Sequence, residues 1–504
     1  MTDAQIIKEK CLIIEQLEAK NKLLESKLDS VTSQLEELKR LIFGRKSERF
    51  IPASSQETDA VQLSLFESNE QEDEQPVETE SISYQRTKKK HPGRNAIPEH
   101  LPVEEVIIEP EQSTEGMVKI GEEVTETIEY TPASLIKRRV IRPKYVEKDG
   151  STIHIASLPS RPLPKTIAEA GLLSHILVSK YVDHLPLYRL AKMFKRDFDW
   201  QVAQSTLVDW VSACCRLLEP LYNALEREVF NTQYIQADES PIKVLEYSTA
   251  KGKDPPGSKG NKIMQGYQWV YYSPEKKLVY FNYRKGRGLN GPKEVLMQYT
   301  GHVQCDGYQV YDKIGAIRKE VTLLGCLAHA RRYFEKALDN DRERSTHALG
   351  IIRKVYLEER KAKELNDPKA HQEVRSKKIL PKLKALKSWT EEQYSKVVPK
   401  SKIARAMYYY SAQWDKIHRA AANARFELDN NLIENKIRPL ALGRKNYLFA
   451  GSHDGARRAA MLYSFFGSCM QMGINPAVWL EETLEKIPEY PINKITDLLP
   501  GYRE

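Results

Sequence analysis

Three short motifs carry carboxylates in settings where they can cooperate in chemistry. Asp238 stands near the middle of an apolar strand pattern in YIQADESPIKVL, Asp306 closes a shorter one in HVQCDGYQVYDKI, and Glu434 falls on a helical pattern in DNNLIENKIRPL. Two carboxylates that converge at a sheet edge repel each other, so they persist mainly where a divalent cation neutralises them. Oxygen ligands favour Mg²⁺ or Mn²⁺. The pattern predicts two such ions, which would hold the attacking and leaving oxygens of a phosphodiester in line.

Other acids in the same motifs compete for these roles. Glu239 directly follows the first acid, and because side chains alternate along a strand it is expected to point to the opposite face. Asp429 or Asn430 can cap the helix that carries the third acid, and Asp429 fits better as a cap than as a ligand. Glu427 is a further competitor. Pro439 is expected to limit how far this helix extends.

The elements around the motifs have the order of a ribonuclease-H-like core. From residue 231 onward the patterns follow the order β-β-β-α-β-α-β, with a hairpin turn at Ser273-Pro274-Glu275. In that architecture the first and fourth strands lie side by side, which brings Asp238 and Asp306 together. The third acid then comes from a later helix, after a helix-rich insertion at about 333–425.

The distribution of charge indicates a polyanionic partner. The net charge of the whole chain is +9. Between Arg331 and Lys402 there are 20 Lys and Arg residues against 11 Asp and Glu residues, so this segment alone has a surplus of nine positive charges. Such a local excess is typical of nucleic-acid binding, although a solvated helical face without a ligand has the same composition.

Several basic residues near the acids are candidates for binding phosphates. Arg438 shares a helix face with the third acid, and Arg444 and Lys445 follow it. Cys326 and His329 have C-x-x-H spacing in CLAHARR. They form either half of a metal site, with no second half visible, or a packed thiol with a histidine near DNA. The predicted DNA-binding residues are Arg438, Arg444, Lys445, His329, Arg331, Arg332, Lys88, Lys89 and Lys90.

The first fifty residues have a heptad pattern. Apolar residues occupy most a and d positions from Ile7 to Ile42, and Asn21 at an a position is the usual device for fixing register in a two-stranded coiled coil. The pattern predicts a homodimer or higher oligomer, and an amphipathic helix packed on its own domain is the alternative. Residues 51–85 contain nine acidic residues and no Lys or Arg, which is typical of a disordered linker. A basic run, RTKKKHPGR, ends it.

Residues 163–230 are predicted to be helical. LYRLAKMFKRDF and STLVDWVSACCRLLEPLYNAL resemble two helices joined by a turn, with Ser205 at the position of an N-cap. This arrangement fits a helix-turn-helix that binds DNA, and it equally fits a helical pair without DNA contact.

Composition excludes several classes of protein. At 504 residues with 41% hydrophobic content, the chain is long enough for several globular domains and has no apolar run of membrane-spanning length. MTDAQIIKEKCL lacks the layout of a secretory signal. The six cysteines are scattered without a C-x-x-C pair, which favours reduced thiols. We expect a cytoplasmic, nucleoid-associated protein with no membrane contact.

These patterns predict a multidomain α+β protein with a ribonuclease-H-like α/β catalytic core. The predicted domains are a coiled-coil leader (1–50), an acidic linker ending in a basic run (51–95), a small β-rich module (96–162), a helical DNA-binding region (163–230), the catalytic core with its helical insertion (231–460) and a C-terminal helical extension (461–504).

The motifs resemble those of the insertion-sequence-66 transposases, which belong to the acid-triad (DDE) group. The resemblance covers nearly the whole chain. QADESP, QCDGY and DNNLIEN match the three acid motifs, and RPLALGRKNYLFAGS is the most specific match. GLLSHILVSKYVDHLPLYR resembles the helical region. The resemblance implies that Asp238, Asp306 and Glu434 are metal ligands and that the substrates are terminal inverted repeats and target DNA. Accessory proteins of the same element are common in the family.

One stretch departs from that family. Its members usually carry a small zinc module of paired cysteines, whereas EPEQSTEGMVKIGEEV and RPKYVEKDGSTIH in this chain contain no cysteine. Because structural zinc needs four soft or borderline ligands, we expect no zinc here.

Three functions remain open from the sequence: a transposase that cleaves and joins DNA strands, a non-catalytic DNA-binding regulator derived from one, and a structure-specific nuclease of the same fold. Retention of all three acids favours an enzyme, because a pure binding protein gains nothing from repulsive carboxylates.

Overall fold

The computed structural model describes residues 134–137, 144–146, 153–155, 160–164, 166–246 and 262–502. The predicted coiled coil at 1–50 and the linker at 51–95, with its lysines at 88–90, lie outside the described residues. So does most of the β-rich module at 96–162. These elements and the limits of all the predicted domains therefore stay predictions.

The described strands form two sheets. They are β1 (Lys144–Val146), β2 (Ile153–Ile155), β3 (Tyr234–Glu246), β4 (Lys262–Ser273), β5 (Leu278–Arg284), β6 (Gly301–Gln304) and β7 (Val321–Leu324). β1 and β2 make a small antiparallel pair. The other five form a mixed sheet in the order β5-β4-β3-β6-β7, in which β3–β4 and β4–β5 are antiparallel while β3–β6 and β6–β7 are parallel.

The described helices lie before, between and after these strands. They are α1 (Ala170–Tyr181), α2 (Leu187–Phe198), α3 (Gln204–Phe230), α4 (Asn290–Leu296), α5 (Gln309–Ile317), α6 (Leu327–Lys336), α7 (Arg342–Glu364), α8 (Pro368–Val374), α9 (Leu380–Tyr394), α10 (Lys402–Ala412), α11 (Trp414–Ala422), α12 (Asn431–Tyr447), α13 (His453–Gln471) and α14 (Pro476–Lys486), with a π turn at Arg375–Ile379 and 3₁₀ turns at Ile487–Glu489 and Ile492–Leu498.

The register of the sheet places the first two acid motifs side by side. Gln236 of β3 is paired with Gln304, the last residue of the parallel strand β6. Asp238 and Asp306 each follow two residues later, so they occupy equivalent positions at the same edge. The predicted β-β-β-α-β-α-β order and the adjacency of the first and fourth strands are both confirmed.

The outer strand β5 is covered by α13. Six of the seven residues of β5 are buried, so both of its faces are packed. Two serines one turn apart on α13 use their hydroxyls to accept hydrogen bonds from β5: Ser464 from the Phe281 N–H at 2.8 Å, and Ser468 from the Val279 N–H at 2.9 Å. These bonds satisfy donors that an edge strand otherwise leaves unpaired.

Helices fill the chain between β7 and the third acid motif. Helices α6 to α11 enclose a hydrophobic cluster of their own, which includes Phe334, Ile352, Leu383, Met407 and Tyr410. A larger cluster extends from α1–α3 through the sheet to α12–α14. No helix in the described ranges is long and apolar enough to span a membrane.

Two details of the sequence prediction are wrong. Ser205 does not cap α3, because that helix begins after Ala203, which is extended and makes no side-chain capping bond. Pro439 does not limit α12 either, since the helix continues through it to Tyr447. Proline removes one backbone hydrogen bond, and burial of Ile433 and Leu440 on either side of it offsets that loss.

Candidate active site

The structure brings the three predicted acids to one edge of the sheet. Asp238 lies on β3, Asp306 directly follows β6, and Glu434 lies in the first turn of α12. Burial raises the pKa of Asp238 well above its usual range, and the negative charges of Glu239, Asp306 and Glu434 add to this effect. Asp238 is therefore close enough to both other acids for their charges to oppose its ionisation.

Two buried glutamines join the strands to the segment that carries Glu434. Gln236 accepts a hydrogen bond from the backbone N–H of Ile433 at 3.1 Å and donates one to the carbonyl oxygen of Asp429 at 3.1 Å. It also donates to Gln304 at 2.9 Å. Gln304 in turn donates to the carbonyl oxygen of Glu427 at 2.8 Å. Since Gln236 and Gln304 are fully buried, these bonds are shielded from water and fix the start of α12 against both strands.

Asn430 provides a third attachment. Its side-chain amide donates to the carbonyl oxygen of Ala237, immediately before Asp238, at 3.1 Å. The backbone N–H of Asn430 lies 3.2 Å from Sγ of Cys326. Cys326 is thus a packed thiol that contacts the start of α12, as the second interpretation of the C-x-x-H spacing proposed. The N-cap residue of α12 is Asn430, which makes no side-chain capping bond. Oδ1 of the preceding Asp429 accepts from the Asn431 N–H at 3.0 Å, so Asp429 closes a turn before the helix and is not the cap that the sequence predicted.

Arg332 and His329 lie beside Glu434. The Arg332 guanidinium donates to Oε2 of Glu434, and its other nitrogen lies 3.3 Å from Nε2 of His329. Burial lowers the pKa of His329 against the opposing charge of Asp306, so the neutral imidazole is favoured. Oε1 of Glu434 and Nδ1 of His329 are both buried, and neither has a hydrogen-bond partner among the described residues.

The competing acids all have partners of their own. Glu239 accepts from Arg287 at 2.6 and 2.8 Å and from the Tyr311 hydroxyl at 3.3 Å. Burial raises the pKa of Glu239 to about 7, and Asp306 acts in the same direction while Arg287 opposes it. Glu427 forms an ion pair with Lys363 at 2.5 Å. By contrast, no Lys, Arg or His of the described ranges makes an ion pair with Asp238 or Asp306.

The chemistry of the donor set fits a divalent cation. Carboxylate oxygens are the ligands that Mg²⁺ and Mn²⁺ prefer, and the unpartnered Oε1 of Glu434 is an oxygen available for one. The mutual repulsion at Asp238 is what a bound cation relieves. Within the described part of the chain, however, no three His, Cys, Asp or Glu side chains are already gathered closely enough to form a metal cluster.

The predicted phosphate-binding residues fall into two groups. Arg438 and Lys445 are exposed on α12. Arg331 is paired with Glu335 at 2.7 Å, and Arg444 donates to the carbonyl oxygen of Pro241 on β3. Arg332 is held by Glu434, as described above. None of these contacts tests a role in binding DNA, so that role stays a prediction.

Sequence reasoning missed the two positioning glutamines. The signal was present in the motifs, because QADES and QCDGY both carry Gln two residues before the acid. Residues two apart on a strand share a face, so each Gln accompanies its Asp toward the same edge. What the pattern does not reveal is the partner, since the Gln236–Ile433 bond joins residues 197 positions apart.

Comparison with protein families gives three matches along the chain. A model described as "Transposase IS66 family" matches residues 165–458. Models described as "Transposase C of IS166 homeodomain" and "IS66 C-terminal element" match residues 31–106 and 464–500.

Relatives of similar length occur in Sinorhizobium fredii. The uncharacterized protein y4qI is 28% identical over 509 residues, covering 97% of this chain and 91% of the relative. The uncharacterized protein y4jD is 28% identical over 484 residues, covering 92% of each. Among solved structures, a Mos1 transposase paired-end complex with left transposon end is 11% identical with a TM-score of 0.13, covering 53% of this chain and 82% of that one.

Proposed function

The chain belongs to the IS66 transposase family, and we propose that it is a metal-dependent polynucleotidyl transferase that cuts and joins DNA strands at the ends of its insertion sequence. The family resemblance seen in the sequence motifs is confirmed by models that match most of the chain. The catalytic step, the metal ions and the DNA substrates are the proposal.

The convergence of Asp238, Asp306 and Glu434 supports this proposal most directly. Equivalent positions on two parallel strands supply the first two acids, and buried side chains fasten the helix of the third beside them. Asp238 and Asp306 have no ion-pair partner in the described ranges, and such uncompensated carboxylates cost stability unless a ligand neutralises them. A family of transposases is a setting in which that ligand is a catalytic cation.

In this proposal, Asp238, Asp306 and Glu434 would hold two Mg²⁺ or Mn²⁺ ions, which when bound supply Lewis-acid stabilisation of the charge that develops on the phosphate. Gln236, Gln304 and Asn430 set the distance between the strands and α12. Arg332 restrains Oε2 of Glu434, while Oε1 has no hydrogen-bond partner in the described part of the chain. Arg438, one turn beyond Glu434 and exposed, is placed to contact a neighbouring phosphate.

The substrates would be the terminal inverted repeats and a target duplex. The heptads at 1–50 would pair protomers so that two ends are processed in one complex, and accessory proteins of the element would assist. Phosphate contacts from Arg331, His329 and Lys445 and from the lysines at 88–90 belong to the same proposal.

The test is strand cleavage of a labelled duplex that carries the DNA flanking the gene. We expect nicking or joining in Mg²⁺ or Mn²⁺, loss of both in chelator, and loss of both in Asp306→Asn and Glu434→Gln. Glu427→Gln is the matched control, because Glu427 is a neighbouring acid already paired with Lys363. Mg²⁺ should also raise the thermal unfolding midpoint of the wild type but not of Glu434→Gln.

Two outcomes contradict the proposal in different ways. An active Glu434→Gln with an inactive Glu427→Gln moves the third acid to Glu427. Binding of the flanking DNA without any metal-dependent cleavage, in wild type and variants alike, identifies the chain as a DNA-binding regulator instead.

A further inference from the structure

Four basic side chains gather where the helical region, α12 and α13 meet. Lys180 of α1 places its Nζ 5.2 Å from the ring centroid of Tyr181 and 5.6 Å from that of Tyr447 on α12. Arg444 lies one turn before Tyr447 on the same helix. Arg216 of α3 and Arg458 of α13 both donate to the hydroxyl of one serine, Ser212, at 2.8 and 3.1 Å. We refer to Lys180, Arg216, Arg444 and Arg458 as the cationic cluster.

Neutral groups, rather than acids, contact the members of this cluster. The hydroxyl of Tyr447 lies 3.0 Å from that of Tyr463, and the ring of Tyr463 packs edge-on against Tyr181 with centroids 5.7 Å apart. Arg444 donates to the carbonyl oxygen of Pro241. Among the described residues, no Asp or Glu makes an ion pair with any of the four basic residues.

Two members of the cluster have pKa values below their usual range. Burial lowers the pKa of Lys180 to about 8, and the nearby charge of Arg458 contributes to the same shift. Burial also lowers the pKa of Arg444. Lys180 and Arg458 are partly buried cations that repel each other, and such a pair is unfavourable unless an anion from outside the chain compensates it.

Lys276 shows how the same kind of side chain is arranged when it serves the fold. Lys276 is 23% exposed and forms a 2.5 Å ion pair with Glu228 of α3. Lys180 is also partly buried, but its Nζ lies over the rings of Tyr181 and Tyr447 with Arg458 nearby, and it has no Asp or Glu ion-pair partner among the described residues. The two lysines are both partly buried, but a carboxylate neutralises the charge of Lys276 and none pairs with Lys180 among the described residues.

We propose that the cationic cluster is a phosphate-binding site that receives the backbone of the DNA bound at the sheet edge, a proposal that rests on the function proposed above. Arg444 lies ten residues after Glu434 on one continuous helix, a separation of about 15 Å along the axis. That length corresponds to roughly four base pairs of duplex. A duplex that runs along α12 from a scissile phosphate at Asp238 and Asp306 would reach Arg444, and the cluster would then connect α1 and α3 to the bound DNA.

The experiment compares Lys180→Met and Arg458→Met with Lys276→Met in the full-length protein. Binding of a fluorescent duplex is titrated against salt in chelator, so that no cleavage occurs. Each cluster variant should lower the slope of log K against log salt by ~0.9, the loss of one phosphate contact. Lys180→Met should also unfold at the same temperature as the wild type or higher. Lys276→Met should unfold at a lower temperature and keep the wild-type slope.

A second arm separates DNA from small phosphates. The thermal midpoint is measured in sodium phosphate and in sodium chloride at equal ionic strength. A phosphate-specific rise that Lys180→Met abolishes, with an unchanged DNA slope, assigns the site to a free phosphate and overturns the DNA assignment. An unchanged slope together with reduced stability in Lys180→Met makes the residue structural. A wild type that binds no DNA contradicts the proposed function itself, whereas wild-type binding with unaffected cluster variants contradicts this inference alone.

Discussion

Buried charge is organised in opposite ways at the edge of the sheet and inside the helices between β7 and α12. At the sheet edge, Asp238 is surrounded by other acids and has no ion-pair partner among the described residues. Among the helices, Glu359 of α7 is surrounded by donors. Arg375 donates to both of its oxygens at 2.6 and 3.0 Å, and Nε2 of His371 lies 3.0 Å from Oε1.

The pKa directions of the two acids follow from their partners. Burial by itself raises the pKa of Glu359, but the hydrogen bonds and charge of Arg375 outweigh it and lower the pKa. Arg375 is fully buried, and its third guanidinium nitrogen donates hydrogen bonds to the carbonyl oxygens of Ala420 and Asn423 at 3.0 and 2.8 Å. Every charge in this network is matched within the chain, so the network can contribute to folding without any ligand.

The contrast teaches where to look for function. A compensated ion pair can be present because it contributes to folding. A group of like charges held together by neutral residues lowers the stability of the fold, which indicates a role in function. Asp238 with Asp306, which have no ion-pair partner among the described residues, and the cationic cluster around Lys180 are both of the second kind, with opposite signs. In the proposed function, a phosphodiester with divalent cations would supply both missing charges.

The largest expected effect is on catalysis at the sheet edge. Asp238→Asn keeps the shape of the side chain but removes its charge, so strand cleavage should fall on the order of 10³-fold or more. The same change relieves repulsion from Asp306 and Glu434, and the free energy of unfolding should therefore stay equal or rise. Urea denaturation and cleavage assays on one preparation check both parts. A marked loss of stability would mean that Asp238 has a structural partner, and the sheet edge would then not differ from the Glu359 network in this respect.

The next effect concerns the compensated network. Arg375→Met leaves Glu359 buried without its main partner, and the free energy of unfolding should fall by about 3–5 kcal/mol. Lys377→Met is the control, because Lys377 forms an exposed pair with Glu373 on the same segment and its loss should be silent. Equal stability of Arg375→Met and wild type in urea denaturation contradicts the view that this network serves the fold.

A smaller effect is expected at the positioning glutamines. Gln236→Leu removes the bonds to Ile433 and Asp429 that hold the start of α12, each worth about 1 kcal/mol, so cleavage should fall by about 10- to 100-fold. DNA affinity should not change. Gln268→Leu is the matched control, since Gln268 is an equally buried strand glutamine that bonds to the carbonyl oxygen of Ala456 on α13 and not to α12. Equal losses of activity in both variants would mean that the loss comes from general destabilisation and not from a shift of α12.

The sequence predicted the order of the strands and helices and the proximity of Asp238 to Asp306. It did not predict features that depend on contacts between segments far apart along the chain. Strand alternation and the β-β-β-α-β-α-β order were sufficient to place Asp238 beside Asp306. Proline's intrinsic preference was a poor guide at Pro439, because packing of α12 on β3 outweighs one missing hydrogen bond. No sequence pattern indicated a role for Lys180, because its neighbours Tyr447 and Arg458 are more than 250 positions away along the chain.

The smallest expected effect is the pH dependence produced by Lys180. Its pKa is lowered from 10.5 to about 8, so the unfolded chain binds more protons than the folded chain between these values. Stability linked to Lys180 should accordingly rise as the pH increases from about 8 toward 10.5, where the folded side chain is already neutral.

Buried tyrosines and cysteines act in the opposite direction at high pH, because their raised pKa values keep the folded chain protonated. The informative quantity is therefore the difference between wild type and Lys180→Met, in which those contributions cancel. We expect this difference in the free energy of unfolding to favour Lys180→Met near neutral pH and to shrink across that interval. A difference that does not change with pH means that a carboxylate compensates Lys180, and the cationic cluster then resembles the Glu359 network.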